Sequence, residues 1–119
     1  MITTEFARQF AQEWVAAWNA HDLDRILNHY TDDFTIETPM AAERLPETKG
    51  IVSGKEAARA YWAIGLERIP NLAFELNDVL AGINGLTIYY TNIATGRRAA
   101  EIMFLNTAGK VERAFVHYA

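Results

Sequence analysis

The chain has 119 residues, half of them hydrophobic and 22 % charged, with a formal net charge of −4 and no cysteine. This fits one domain spanning 1–119, and it excludes a disulfide frame, a thiol nucleophile and a thiolate metal site. The basic residues are scattered apart from Arg97-Arg98, no apolar run approaches the roughly 20 residues of a membrane span, and no cationic-then-apolar leader opens the chain; no nucleic-acid or membrane partner is therefore expected, and the expected location is cytoplasmic.

The first helix should begin after Thr3, an N-cap residue, with Glu5 in its first turn. Phe6, Phe10, Trp14 and Trp18 recur every four residues, and Ala7, Ala11 and Val15 form the adjoining stripe, which together give a wide apolar helix face. Asp22 can cap a short second helix running to about His29. Tyr30-Thr31-Asp32-Asp33-Phe34 leads into a strand over 35–38, closed by Pro39. A loop is expected from Met40 to Val52, containing Pro46 and Gly50. Ser53 and Glu56 have capping-box spacing, so a third helix should start near Gly54, run to about Arg68 and stop before Pro70.

The rest reads as strands over 73–80, 86–94, 98–106 and 111–118, with Thr95-Gly96 and Ala108-Gly109 as hairpin turns. Helices followed by an antiparallel meander make an α+β layout. Both faces of the later strands are apolar: Ile88 and Tyr90 oppose Thr87 and Tyr89, Met103 opposes Ile102 and Phe104, and Val116 opposes Phe115. Helices can cover only one face. The other is expected to pack on a second copy, giving a homodimer through the outer sheet face.

The stretch from Glu13 to Pro39, EWVAAWNAHDLDRILNHYTDDFTIETP, resembles the opening of the cone shared by nuclear transport factor 2 (NTF2) and the steroid Δ-isomerases. Within that NTF2-like superfamily it looks like the SnoaL-like branch. The resemblance covers nearly the whole chain and is tightest from Trp14 to Pro39 and from Glu101 to the end. It implies a cystatin-like cone, with three N-terminal helices on a curved, mixed, mostly antiparallel sheet.

The resemblance also carries over three chemical positions. The isomerase tyrosine of the first helix corresponds to Trp14, the proton-shuttling aspartate to Thr38, and the hydrogen-bond-donating aspartate to Glu101. The aromatics of its third helix correspond to Tyr61 and Trp62. Thr38 cannot take a proton near neutral pH, so the steroid isomerase reaction is not expected. Polyketide cyclases of the branch rely on an interior acid whose strand position is not matched here. Its dehydrating relatives rely on interior histidines with an aspartate, and no such set is visible.

Glu101 is the one chemical group of the three that persists. If Thr95-Gly96 is a two-residue turn, Tyr90 lies directly across from Glu101 inside the cone. Burial there should raise the carboxyl pKa. Glu101 and Tyr90 are thus the candidate acid-base pair, or else a core hydrogen bond without chemistry. The expected inner wall takes Trp14, Trp18, Tyr61 and Trp62 from helices and Tyr30, Ile36, Thr38 and Met40 from the first strand and its exit. The meander adds Ile88, Tyr90, Glu101, Met103, Val116 and Tyr118. Such a wall suits a small, mostly apolar molecule, with the 40–52 loop over the mouth. The three tryptophans could equally fill the cone and leave a dimerisation module.

Other polar residues point elsewhere. His21 should hold its turn, His29 should be solvated after the helix, and His117 should face the dimer. Asp32-Asp33 should fix a turn and Arg97-Arg98 should be solvated. No paired-histidine spacing suggests a metal site, and no cofactor is expected.

Overall fold

The computed structural model describes residues 1–119. Helix α1 spans Thr4–Asn19, and Thr3 caps it by accepting a hydrogen bond from the Phe6 N–H. Its buried positions Ala7, Phe10, Ala11, Trp14, Ala17 and Trp18 follow the apolar stripe, while Phe6 lies at the exposed margin. Asp22 caps α2, Leu23–Leu27, through the Arg25 N–H. This helix ends two residues before His29. His29 instead turns the chain into β1, Tyr30–Glu37, which begins five residues earlier than its expected start at Thr35. Tyr30 and Phe34 anchor that early portion in the core.

The segment expected to be a loop is structured. Thr38 and Pro39 start a further helix, α3, Pro39–Arg44, followed by a 3-10 turn at Pro46–Thr48 and strand β2, Ile51–Ser53. The local chemistry accounts for this. The Thr38 hydroxyl accepts the Met40 N–H at 3.3 Å, and proline at the first helical position sacrifices no bond. The Thr48 hydroxyl donates to the Leu45 carbonyl at 2.7 Å, which closes the turn. Gly50, at φ 87°, lies so close that an added Cβ would sit 3.2 Å from the Thr38 carbonyl oxygen.

Helix α4 spans Lys55–Arg68. The expected capping box does not form: Gly54 occupies the cap position at φ 86° without a side-chain bond, and Ser53 belongs to β2. The meander follows as β3 Phe74–Ala81, β4 Gly85–Asn92, β5 Arg97–Leu105 and β6 Val111–Tyr118. The six strands lie in the order β2-β1-β6-β5-β4-β3. Only the β1–β6 pair is parallel. The result is the expected α+β class, with four α-helices rather than three on a mixed, mostly antiparallel sheet.

The β4–β5 connection corrects a register. Asn92 pairs with Arg97, so residues 93–96 form the turn instead of Thr95-Gly96 alone. Tyr90 therefore lies opposite Ala99, and Glu101 opposite Ile88. The shift is two residues, so every side chain keeps its face. Helices cover one face of the sheet with a contiguous core of 27 buried residues. On the other face Tyr89, Ile102, Phe104 and Phe115 are half-exposed.

Candidate functional site

The inward positions of the meander build the floor of the cone. Alternation along β5 buries Ala99, Glu101 and Met103, β4 contributes Leu86, Ile88 and Tyr90, and β6 contributes Ala114 and Val116. Glu101 is only 6 % exposed. The Tyr90 hydroxyl donates to its Oε2 at 2.9 Å, reaching diagonally across the pair rather than straight across it.

Burial pushes the Glu101 carboxyl up to about 7, against the opposing pull of the Tyr90 hydrogen bond. Near neutral pH it is therefore divided between its two protonation states. It can accept a proton as carboxylate, or donate a hydrogen bond as acid. Tyr90 and Tyr30 are held well above the ordinary phenol range, first by burial and then by the negative charge of Glu101. Both stay protonated as donors.

Below this layer the cone is solid. Trp14 stacks on Phe74 with centroids 5.7 Å apart, tilts against Tyr90 at 5.3 Å, and donates its indole N–H to the Tyr30 hydroxyl at 2.9 Å. Trp14, Tyr30, Ile88 and Met103, expected on the cavity wall, are packed in this base instead. Trp14 thus cannot take the part the isomerase tyrosine would have, because its donor is already committed. Trp18 packs edge-on against Trp62 at 5.4 Å, and its buried indole N–H has no partner.

Above the layer lies a cavity of about 280 Å³. Trp18, Ile36, Thr38, Met40, Tyr61, Trp62, Tyr90, Glu101, Val116 and Tyr118 of the expected wall line it. The wall also includes residues that were not expected. Gly65 and Ile69 extend the helical face of Tyr61 and Trp62, a 3.6-residue periodicity that was readable. Leu72 and Phe74 come from the approach to and start of β3. Arg44 reaches the wall because α3 forms where a loop is expected. Asn92, Thr95, Arg97 and Ala99 depend on the four-residue turn and its register. Arg97 and Arg98 are exposed, as expected, but Arg97 also borders the cavity, with its guanidinium 4.3 Å from the centre of the Tyr118 ring.

Thr38 is almost fully buried, with its hydroxyl beside the phenols of Tyr61 and Tyr118. Both phenols are raised chiefly by burial; the Thr38 hydroxyl and Arg44 pull them the other way. The histidines stand apart from the cavity. His21, at φ 54°, contacts the Leu72 carbonyl at 2.7 Å, tying its turn to the start of the meander rather than only to itself. His29 packs edge-on against Phe10 at 5.0 Å, and burial lowers its pKa, so it is not the solvated residue expected. His117 is exposed on the outer face. Asp32 pairs with Lys55, and Asp33 accepts from the Thr31 hydroxyl. No three His, Asp or Glu side chains converge to form a metal-binding cluster.

The SnoaL-like domain profile matches residues 11–116. The chain belongs to the SnoaL-like family. A SnoaL-like protein of unknown function from Burkholderia thailandensis is 45 % identical, with a TM-score of 0.94 over 99 % of this chain and 98 % of that one. An NTF-2 like protein of unknown function from Burkholderia xenovorans matches at 20 % identity and TM-score 0.73, over 97 % and 84 % of the two chains. A protein of unknown function with cystatin-like fold from Methylobium petroleophilum matches at 14 % and 0.78, over 99 % and 78 %. The last two share the fold alone. In this SnoaL-like domain the chemistry is set by the residues of its own cavity and not by the shared fold.

Proposed function

We propose that this SnoaL-like domain binds a small, mostly apolar molecule in the cavity of its cone. One observation carries the reading: an open space of about 280 Å³ whose aromatic and aliphatic wall holds a single buried acid, Glu101, bonded to Tyr90. This is close to the roughly 300 Å³ at which small-molecule pockets begin, and its character, apolar with few polar points, is theirs. The space above the Trp14 layer favours ligand binding over a filled cone serving only dimerisation.

A second reading rests on the same pair. Glu101 changes protonation near neutrality and Tyr90 stays a donor, which suits an acid-base isomerase, cyclase or hydratase. The steroid isomerase reaction is not proposed. Thr38 offers a hydroxyl where that reaction needs a base, and a positioned base contributes roughly 10²–10⁴-fold. Turnover of a 3-oxo-Δ5-steroid at ordinary enzymatic rates would contradict this.

A thermal-shift screen of aromatic, terpenoid and polyketide-like compounds tests the binding reading, repeated on Glu101→Gln. Stabilisation by such compounds, altered in the variant, is the expected result. No stabilisation by any compound class would count against a ligand-binding cone. The same proposal includes a homodimer through the outer sheet face and a cytoplasmic location. No helix is long and apolar enough to cross a membrane.

A further inference from the structure

Three charged side chains line the cavity: Glu101, Arg44 and Arg97. The two arginines are uncommitted. The ion pairs of the molecule use Arg25, Lys55 and Arg59 as their cations. The arginine side-chain hydrogen bonds come from Arg25, Arg59 and Arg98. Nor are Arg44 and Arg97 counterions of Glu101, whose proton affinity is set by burial and by Tyr90. A chain with net charge −4 has thus placed two unpaired cations on one apolar cavity.

Both are positioned. Arg44 ends α3 and is half-buried, and its Nη1 lies against Gly65 of α4, where an added Cβ would stand 3.0 Å away. Arg97 opens β5 at the exposed rim of the cavity and lies over the face of Tyr118, which orients the guanidinium and leaves its N–H edge free. The hydroxyls of Thr38, Tyr61 and Tyr118 gather nearby. The field of Arg44 reaches both phenols, and that of Arg97 reaches Tyr118. Oriented guanidinium forks beside hydroxyl donors match a planar carboxylate. The remaining wall is apolar and suits an uncharged body.

We propose that the ligand is a small apolar carboxylic acid, its carboxylate held between Arg44 and Arg97 and its body against Trp62, Phe74 and Val116. The inference rests on the cavity being a ligand site, and it adds which chemical class the site selects.

Matched probes separate the two. Titration calorimetry at low ionic strength would compare octanoate and cinnamate with octanamide and cinnamamide. The acids should bind at least tenfold more tightly than the amides. Arg44→Gln and Arg97→Gln should each weaken the acids fivefold or more and the amides less than twofold, with Arg44→Lys recovering part of the loss for the acids. Added salt should weaken the acids alone. Circular dichroism checks that each variant is folded. Amides binding as well as the acids, or acids indifferent to both arginine variants, would overturn the carboxylate assignment and leave the ligand site standing. Failure of acids and amides alike would overturn both.

Discussion

At the scale of single residues, two tryptophans one helical turn apart have different electrostatic situations. The indole N–H of Trp14 satisfies the buried Tyr30 hydroxyl, whereas that of Trp18 is buried without a partner. Replacement by phenylalanine removes similar atoms from both. Trp14→Phe should also strand Tyr30, at about 1–3 kcal/mol for an unsatisfied buried group, while Trp18→Phe removes a donor that was already unsatisfied. Urea titration should therefore find Trp14→Phe clearly the more destabilised, and equal losses would refute the distinction. Glu101 supplies a pH signature. Its pKa rises from an ordinary 4.5 to about 7 on folding, so the folded chain binds the extra proton between those values. Stability from this group is therefore greatest below about 4.5, falls as pH rises through that window, and has lost about 3 kcal/mol above it. Glu101→Gln keeps an acceptor for Tyr90 and cannot ionise. Thermal melts from pH 5 to 8 should fall more steeply for the wild type than for the variant, and parallel curves would show that the acid is not buried in solution.

At the scale of elements, the short helix α3 depends on one hydroxyl. Thr38 caps it and also lies on the cavity wall. Thr38→Val should cost about 1 kcal/mol, the usual value of an N-cap, and displace Met40 and Arg44, which α3 carries to the cavity. Hydrogen exchange confined to faster opening of residues 39–50 would show this; unchanged exchange there would not fit. The β4–β5 pair sets a second constraint. A Cβ on Gly85 would lie 2.3 Å from the Met103 carbonyl oxygen, a backbone atom in the adjoining strand. Gly85→Ala should destabilise the fold by about 1–3 kcal/mol, as overpacking does, measured by denaturant midpoint. A neutral effect would mean the strands part more readily than their pairing implies.

At the scale of the whole molecule, the helices leave an outer sheet face with Tyr89, Ile102, Phe104 and Phe115 half-exposed. Phe104 and Phe115 meet edge to face at 6.1 Å, and Arg113 covers Phe104 at 4.6 Å. For the proposed homodimer, Ile102→Asp should yield a folded monomer by light scattering, and a wild type already monomeric at micromolar concentration would end that proposal. The sequence by itself determined the α+β layout, the α1 and α2 caps, and which side of β4, β5 and β6 faces the helices. These follow from local chemistry and from periods of 3.6 and 2, which need no knowledge of distant partners. Thr38-Pro39 is also a local helix-start signal, a capping hydroxyl followed by proline at the first helical position. Tertiary structure alone decided that Trp14 lies beneath the cavity while Trp18 borders it. It alone brought Arg44 and Arg97, from distant elements, to the same wall. Register and crossing geometry are set by packing between segments far apart in the chain, and no local pattern records where those segments meet.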